Sequence, residues 1–393
     1  MTAQDARPLR LAIVRQAYNP FGGAERFVER ALAALGKEAL EVTLLTRKWQ
    51  GEAQPGLHVL QLRAVKAGRL LRDWSFARAV QACVKEQAFD LVQSHERIPG
   101  CDIFRAGDGV HATWLDLRAR TLGPLARLGQ RLSPWHRFIL SQERQMFEDP
   151  ALRAVICNSR MVRDDIARRH PRLADRLHVI HNGTDLERFH PGLREQHRAT
   201  LRASLGVPES RPVLLHVGSG FERKGVPALI EAMAHPELAA AELWIVGRDR
   251  QESRLRARAA RLGVAGRIRF CGPQQDVTPW LGAADAFVLP TLYDPMPNAA
   301  MEALASGLPV LSSTSSGAAE LITPGVNGEC VDALDIAAIV GKAAKMLAAM
   351  QDPEKSVAIR IAARKSVAEM SKEAMAVQLV ALYRQLMARV SPL

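Results

Sequence analysis

The sequence lacks most of the signatures that settle a protein's chemistry at a glance. None of its 393 residues fall in an apolar run of eighteen, so no membrane-spanning helix is expected. The N-terminal stretch MTAQDARPLR is polar and leads straight into an apolar run at 9–14, with no signal-peptide core. The five cysteines (Cys83, Cys101, Cys157, Cys271 and Cys330) are scattered, and no CxxC pair or Cys/His ligand spacing occurs. That pattern argues against a disulfide framework or a cysteine metal site and reads as buried thiols in a reducing cytosol. No G-x-G-x-x-G follows the first apolar run, and no G-x-x-x-x-G-K-[ST] is found. Their absence argues against a dinucleotide oxidoreductase and a P-loop enzyme. Aromatic residues make up only 5%, with no recognition module, which leaves nucleic acid a poor candidate partner.

What is present fits a soluble chain long enough for two α/β domains, 48% apolar and 24% charged. The net charge of +12 is uneven: residues 1–190 hold 30 Lys/Arg against 21 Asp/Glu, and residues 191–393 hold 23 against 20. A basic first half points to an anionic partner. Apolar runs at 9–14, 41–46, 57–62, 90–94, 152–158 and 177–181 alternate with helical stretches near 23–37, 73–88 and 159–169. The rhythm resumes with strands at 213–218, 242–247, 267–271, 286–290 and 309–313 and helices at 225–235, 251–262 and 298–306. Three further helices follow at 332–350, 353–369 and 371–390. Such alternation predicts parallel sheets covered on both faces. The segment 181–198 (HNGTDLERFHPGLREQHR) has turn chemistry and little apolar content, and marks the domain boundary.

The stretch 290–313 (PTLYDPMPNAAMEALASGLPVLSS) carries the most chemistry. Pro295 and Pro297 disfavour helix in the residues before them, so a helix starts near Asn298, a plausible N-cap. Its first amides and its dipole suit a phosphate. Asp294 lies on the approach and Glu302 one turn inside, eight positions apart. A nucleotide-sugar needs that layout: a diphosphate at the helix end, with hydroxyls to either side. In 216–232 (HVGSGFERKGVPALIEA), Arg223 and Lys224 precede a helix and would neutralise a diphosphate, or form a solvated basic turn. Gly22 and Gly23 fall in the first βα turn, where paired glycines let backbone approach a ligand or serve the turn alone.

Together, the FGGAERF loop, the GSGFERKG turn, the ELWIVG strand and the DPMPNAAMEALASGLPV segment resemble glycosyltransferase family 4. Within it the chain looks most like the bacterial lipopolysaccharide core glucosyltransferase I group. The resemblance implies a retaining, metal-independent GT-B enzyme, with two Rossmann-like domains facing across a cleft. It implies an acceptor domain over 1–185, a nucleotide-sugar domain over 186–370, and a C-terminal helix over 371–393 crossing back to the first. It puts the family's paired acids on Asp294 and Glu302, where the first is usually Glu. Asp294 would orient the sugar, Glu302 would hold the ribose hydroxyls, and Arg223 and Lys224 would meet the leaving diphosphate. Gly22, Gly23, Ser219, Pro297, Asn298 and Ala299 would line the donor, with Val277 near the base. Asp108 and His111 would stand beside the transferred sugar, unless Asp108 only caps a helix near 112–120.

The implied donor is UDP-glucose, with GDP-mannose as rival, and the implied acceptor is a lipid-linked glycan on the cytoplasmic face of the inner membrane. No cofactor or metal is implied. A GT-B nucleotide-sugar epimerase would need further acid/base residues that the sequence does not offer. The stretch 118–139 carries five arginines and no acid, interleaved with leucines. It reads as a basic amphipathic surface for anionic lipid, or as a core-facing segment with an arginine face.

Overall fold

The computed structural model describes residues 9–17, 40–49 and 57–388. The Gly22–Gly23 loop and the helix expected near 23–37 lie outside these residues. The chain divides into two compact units, Met1–Gly183 with Lys372–Leu393, and Thr184–Ser371.

The first unit runs β1 (Leu9–Val14), β2 (Leu40–Thr46), β3 (Leu57–Gln61), α1 (Gly68–Glu86), β4 (Leu91–Ser94) and β5 (Ile103–Arg105). It continues through α2 (His111–Ala119), α3 (Pro124–Leu132), α4 (Pro134–Glu148), β6 (Ala154–Cys157), α5 (Arg160–Arg169) and β7 (Leu177–Val179). Among the described residues seven strands pair in parallel, in the order β3-β2-β1-β4-β5-β6-β7. Successive side chains enter opposite faces: Leu11 and Ile13 join one apolar cluster, Ala12 and Val14 another. The basic stretch 118–139 is divided among three helices. Pro124 and Pro134 each stand at the first residue of a helix, where a missing N–H breaks no hydrogen bond.

The second unit runs α6 (Leu193–Ser204), β8 (Val213–Val217), α7 (Val226–Ala232), β9 (Glu242–Val246), α8 (Glu252–Arg261) and β10 (Ile268–Gly272). Then follow α9 (Thr278–Ala283), β11 (Ala286–Leu289), α10 (Asn298–Ala305), β12 (Val310–Ser313), β13 (Gly328–Val331), α11 (Ile336–Gln351) and α12 (Pro353–Ser366). The sheet order is β10-β9-β8-β11-β12-β13, again parallel. Strand order therefore reverses between β8 and β11, as it does between β1 and β4 in the first unit. Asp285, buried just ahead of β11, fixes the near ends of β8 and β11. It accepts from Arg202 Nη2 at 2.6 Å, from Arg198 Nη1 at 2.9 Å and from the Val213 amide at 2.9 Å.

Elements not expected from the sequence include β5, β13, α6 and α9. The three residues of β5 are too few to show a period. Gly328 weakens the pattern of β13, yet a Cβ there would sit 2.1 Å from Val310 O, so close strand approach requires glycine. The stretch forming α6 reads as polar linker because the residues it buries include Arg198 and Arg202, whose guanidinium groups bond to Asp285 and to the carbonyl of Ala283.

The last helix, α13 (Lys372–Ala388), belongs to the first unit. Met375, Leu379, Leu382 and Leu386 form its apolar stripe against Leu11, Ile13, Ile103 and Ile156. Within that face Tyr383 donates its hydroxyl to Gln93 Oε1 at 2.7 Å, and burial raises the phenol's pKa. Tyr383→Phe leaves that buried oxygen without this donor and should lower first-unit stability by about 1–3 kcal/mol. Urea unfolding of the variant checks this, and an unchanged midpoint would show the bond to be dispensable.

Candidate active site

The site builds up from the far ends of β8 and β11, on either side of the point where strand order reverses. Open α/β sheets bind ligands at such switch points, where the loops beyond the strand ends diverge. After β8 the chain bends through Gly218 to Gly225. Gly225 adopts φ +83°, and a Cβ there would meet Pro290 O at 2.0 Å. Glycine thus lets this loop lie directly against the one that follows β11. The two loops are then bonded together: Arg223 O accepts from the Leu292 amide at 2.8 Å and from Thr291 Oγ1 at 2.9 Å.

That docking brings Arg223 and Lys224 to Asp294. Lys224 Nζ forms an ion pair with Asp294 Oδ2. Arg223 Nη1 donates to Tyr293 O at 3.1 Å and lies 3.6 Å from the same carboxylate oxygen. Asp294 is buried, and its backbone is fixed on both sides. Its amide donates to Ser315 O at 3.2 Å, and its carbonyl accepts from the Gly317 amide at 2.8 Å. Lys224 is largely shielded, whereas the Arg223 side chain is 40% exposed. One carboxylate therefore faces two fixed cations, and the outer one retains access to solvent.

Below the pair lies His216, fully buried in β8. Its Nδ1 donates to Val288 O at 3.2 Å, which leaves Nε2 as an acceptor without a partner among the described residues. Burial pushes its pKa down to about 4, with the Lys224 charge adding in the same direction. The ring is neutral in the folded protein, while an unfolded chain binds a proton near pH ~6.5. Its contribution is therefore complete above that pH and is lost as pH falls from about 6.5 toward about 4. Unfolding free energy should drop between about pH 7 and about pH 5, and less steeply in His216→Leu. Denaturant titrations at the two pH values check this; equal slopes in both proteins would contradict it.

The helix α10 starts with Pro297 at its N-cap and Asn298 as its first residue, and no side chain caps it. This corrects the expectation that Asn298 is the cap. Asn298 is exposed, Ala299 is partly buried, and Glu302 is half-buried one turn on. Ala300, Met301, Ala303, Leu304 and Ala305 of the same helix are buried. Ser219 is exposed after β8 and accepts, at 3.5 Å, from the amide of Arg248, which follows β9. Val277 lies beyond β10 as the N-cap of α9, packed on the second-unit core. Asp294, Arg223, Lys224, Ser219, Val277, Pro297, Asn298, Ala299 and Glu302 thus all follow strand ends of one sheet edge, or start the helix leading away from it.

Asp108 and His111 belong to the first unit. Asp108 is exposed beyond β5. It does not cap α2: that role falls to Glu143 of α4, which accepts from the His111 amide at 2.8 Å and the Ala112 amide at 3.4 Å. His111 turns its ring inward, 3.1 Å from His136 Nδ1 and edge-on to Trp135. Burial lowers its pKa to about 3, with the Arg97 charge contributing. His95 is likewise buried, and its Nε2 accepts from Gln93 Nε2 at 3.0 Å. Sequence reasoning missed Glu96, beyond β4, which accepts from the Gln16 amide at 2.9 Å and lies 3.8 Å from Arg15 Nη1. A charged residue just past a buried strand was the available signal.

Two parallel sheets of this order, each with its own switch point, define the GT-B architecture, and in the second the loops after β8 and β11 bring two cations to one carboxylate. The family model Glycosyltransferase Family 4 matches residues 21–188, and Glycosyl transferases group 1 matches 211–349. The chain belongs to these glycosyltransferases. It is similar to lipopolysaccharide glucosyltransferase WaaG of Escherichia coli (strain K12), 28% identical over 308 residues spanning 78% of this chain and 80% of that one. A D-inositol 3-phosphate glycosyltransferase of Xylanimonas cellulosilytica is 27% identical over 347 residues, 80% of each. Among solved structures, WaaG matches with a TM-score of 0.79 at 24% identity, over 95% of this chain and 99% of that one. Anabaena HepE in complex with UDP-glucose matches with a TM-score of 0.67 at 19% identity, over 96% and 100%.

Proposed function

We propose that this glycosyltransferase moves a hexose from a nucleotide diphosphate sugar, UDP-glucose first, to a lipid-linked saccharide of the lipopolysaccharide core type. The observation that carries the reading is the Lys224–Asp294–Arg223 arrangement beside the uncapped start of α10. The relationship to WaaG supports a lipopolysaccharide acceptor, and the UDP-glucose complex of HepE supports the donor.

In this reading the second unit does mainly electrostatic work. Arg223, Lys224 and the first amides of α10 meet charge that grows on the diphosphate as the bond to the sugar breaks. Donors fixed in advance at that position need little reorganisation in the transition state. Asp294 accepts hydrogen bonds from the sugar, and Glu302 accepts them from the ribose. The bond between the anomeric carbon and the phosphate oxygen breaks as the acceptor oxygen bonds on the same face. The departing phosphate oxygen takes the acceptor's proton, so configuration is retained and neither a nucleophile nor a metal is required.

The same reading puts the enzyme on the cytoplasmic face of the inner membrane as a peripheral protein. No helix among the described residues is long and apolar enough to cross a membrane. Leu125, Leu128 and Leu132 of α3 are exposed, at 86%, 52% and 60%, on an i, i+3, i+7 stripe beside Arg127 and Arg131. An apolar stripe with flanking arginines suits an anionic lipid surface.

Lys224→Met should reduce kcat/KM with UDP-glucose by about 10²–10³-fold, the usual effect of losing one such donor. Arg223 remains beside Asp294 and should keep the variant folded. Transfer to purified lipid-linked core saccharide in EDTA, with NMR assignment of the product anomer, checks the proposal. Full activity in the variant, an inverted product or a strict metal requirement would each overturn it.

A further inference from the structure

The first unit holds a cavity of about 540 Å³ between the start of α2, one face of α4 and the end of α5. It is in the other unit from Lys224 and Asp294 and takes no part in the chemistry described above. We propose that it binds a phosphate monoester whose phosphate is held by Arg137 and Arg144, with Arg169 in the wall beside them.

Charge carries the argument. Arg137 and Arg144 stand seven residues apart on α4, so their side chains share one face two turns apart, with Leu140 between them. Both are exposed, and neither guanidinium group makes an ion pair or hydrogen bond among the described residues. Arg169 is oriented by its neighbours: Nη2 bonds to Asp116 at 2.9 Å, and Nε lies 3.1 Å from Thr113 Oγ1 and 3.3 Å from Asp165.

The one acid in the wall, Glu143, is already committed. It accepts from Arg97 Nε at 2.8 Å as well as from the first amides of α2. Its charge is thus balanced by Arg97 and by the positive end of that helix, leaving Arg137 and Arg144 to a ligand from outside. Guanidinium forks favour phosphate, which they grip through paired N–H groups. The volume exceeds what a bare ion needs and suits a small organic ligand, and Val110 and Leu140 supply apolar wall for its body. A phosphorylated saccharide and the headgroup of a phosphatidic-acid-like lipid present the same chemistry, and the second is reachable because α3, with its exposed leucines, leads directly into α4.

The test uses the full chain and two double variants, Arg137→Ala/Arg144→Ala and, as control for plain surface charge, Arg78→Ala/Lys85→Ala, exposed and seven residues apart on α1. Binding of glucose 6-phosphate and of glucose is measured by calorimetry. Binding to phosphatidylcholine vesicles, with and without phosphatidic acid, is measured by flotation. We expect glucose 6-phosphate to bind where glucose does not, and the first variant to weaken it by about tenfold or more while the control does not. The same selective loss confined to phosphatidic acid vesicles would also support the site, with lipid as the source of the phosphate. An equal loss in both variants, no loss in either, or no binding of either probe by the wild type would overturn it. Melting-temperature shifts with UDP report on the second unit separately, so failure here leaves the nucleotide-sugar reading intact.

Discussion

The ion pair between Lys224 and Asp294 is the contact on which the site's form depends, because it joins the loops after two neighbouring strands. The parallel sheet makes that contact available. Strand order reverses between β8 and β11, so their following loops leave side by side with room between them. Gly225 lets the loops touch, the carbonyl of Arg223 sets their register, and the ion pair closes the arrangement. At the opposite ends of the same strands, Asp285 ties β8 and β11 to α6 through Arg198 and Arg202. The two strands that carry the chemistry are thereby fixed at both ends. In the proposed reading, an anion arriving at the pair meets cations that are already positioned.

Arginine does more structural work in this chain than its net charge of +12 suggests. Arg202 is 1% exposed and spends its donors on Asp285 and on the carbonyls of Ala283, Pro208 and Arg211. Arg267 bonds to the carbonyls of Met233 and Leu238, and Arg364 to those of Leu186 and Phe189. Each satisfies backbone oxygens that helix and strand ends leave open. The basic excess is therefore an uneven guide to binding, because many of these guanidinium groups serve the fold.

The strands were legible in the sequence because both faces of a parallel sheet are covered. Runs such as Leu9–Val14 and Val213–Val217 are apolar but for Arg10 and His216, and the structure keeps them within a residue or so of expectation. Asp294, Arg223 and Lys224 could be picked out singly, as polar residues just past buried strands. Their meeting could not, since it depends on Gly225 lying against Pro290, sixty-five positions apart in sequence. The capping of α2 by Glu143 was hidden for the same reason: the carboxylate comes from thirty-two residues downstream. The packing of the His111 ring against His136 and Trp135 was equally hidden, since both partners lie more than twenty residues downstream.

The most direct test of the central claim is a thermal-shift comparison of UDP, GDP and ADP on the full chain in EDTA. A ligand that binds only the folded state stabilises it by about 2.7 kcal/mol at a hundred times its dissociation constant. The account predicts that UDP raises the melting temperature without metal, while GDP and ADP at equal concentration do so much less. No shift with any nucleotide, or a shift that appears only with Mg2+, would contradict a site built on Arg223, Lys224 and the start of α10.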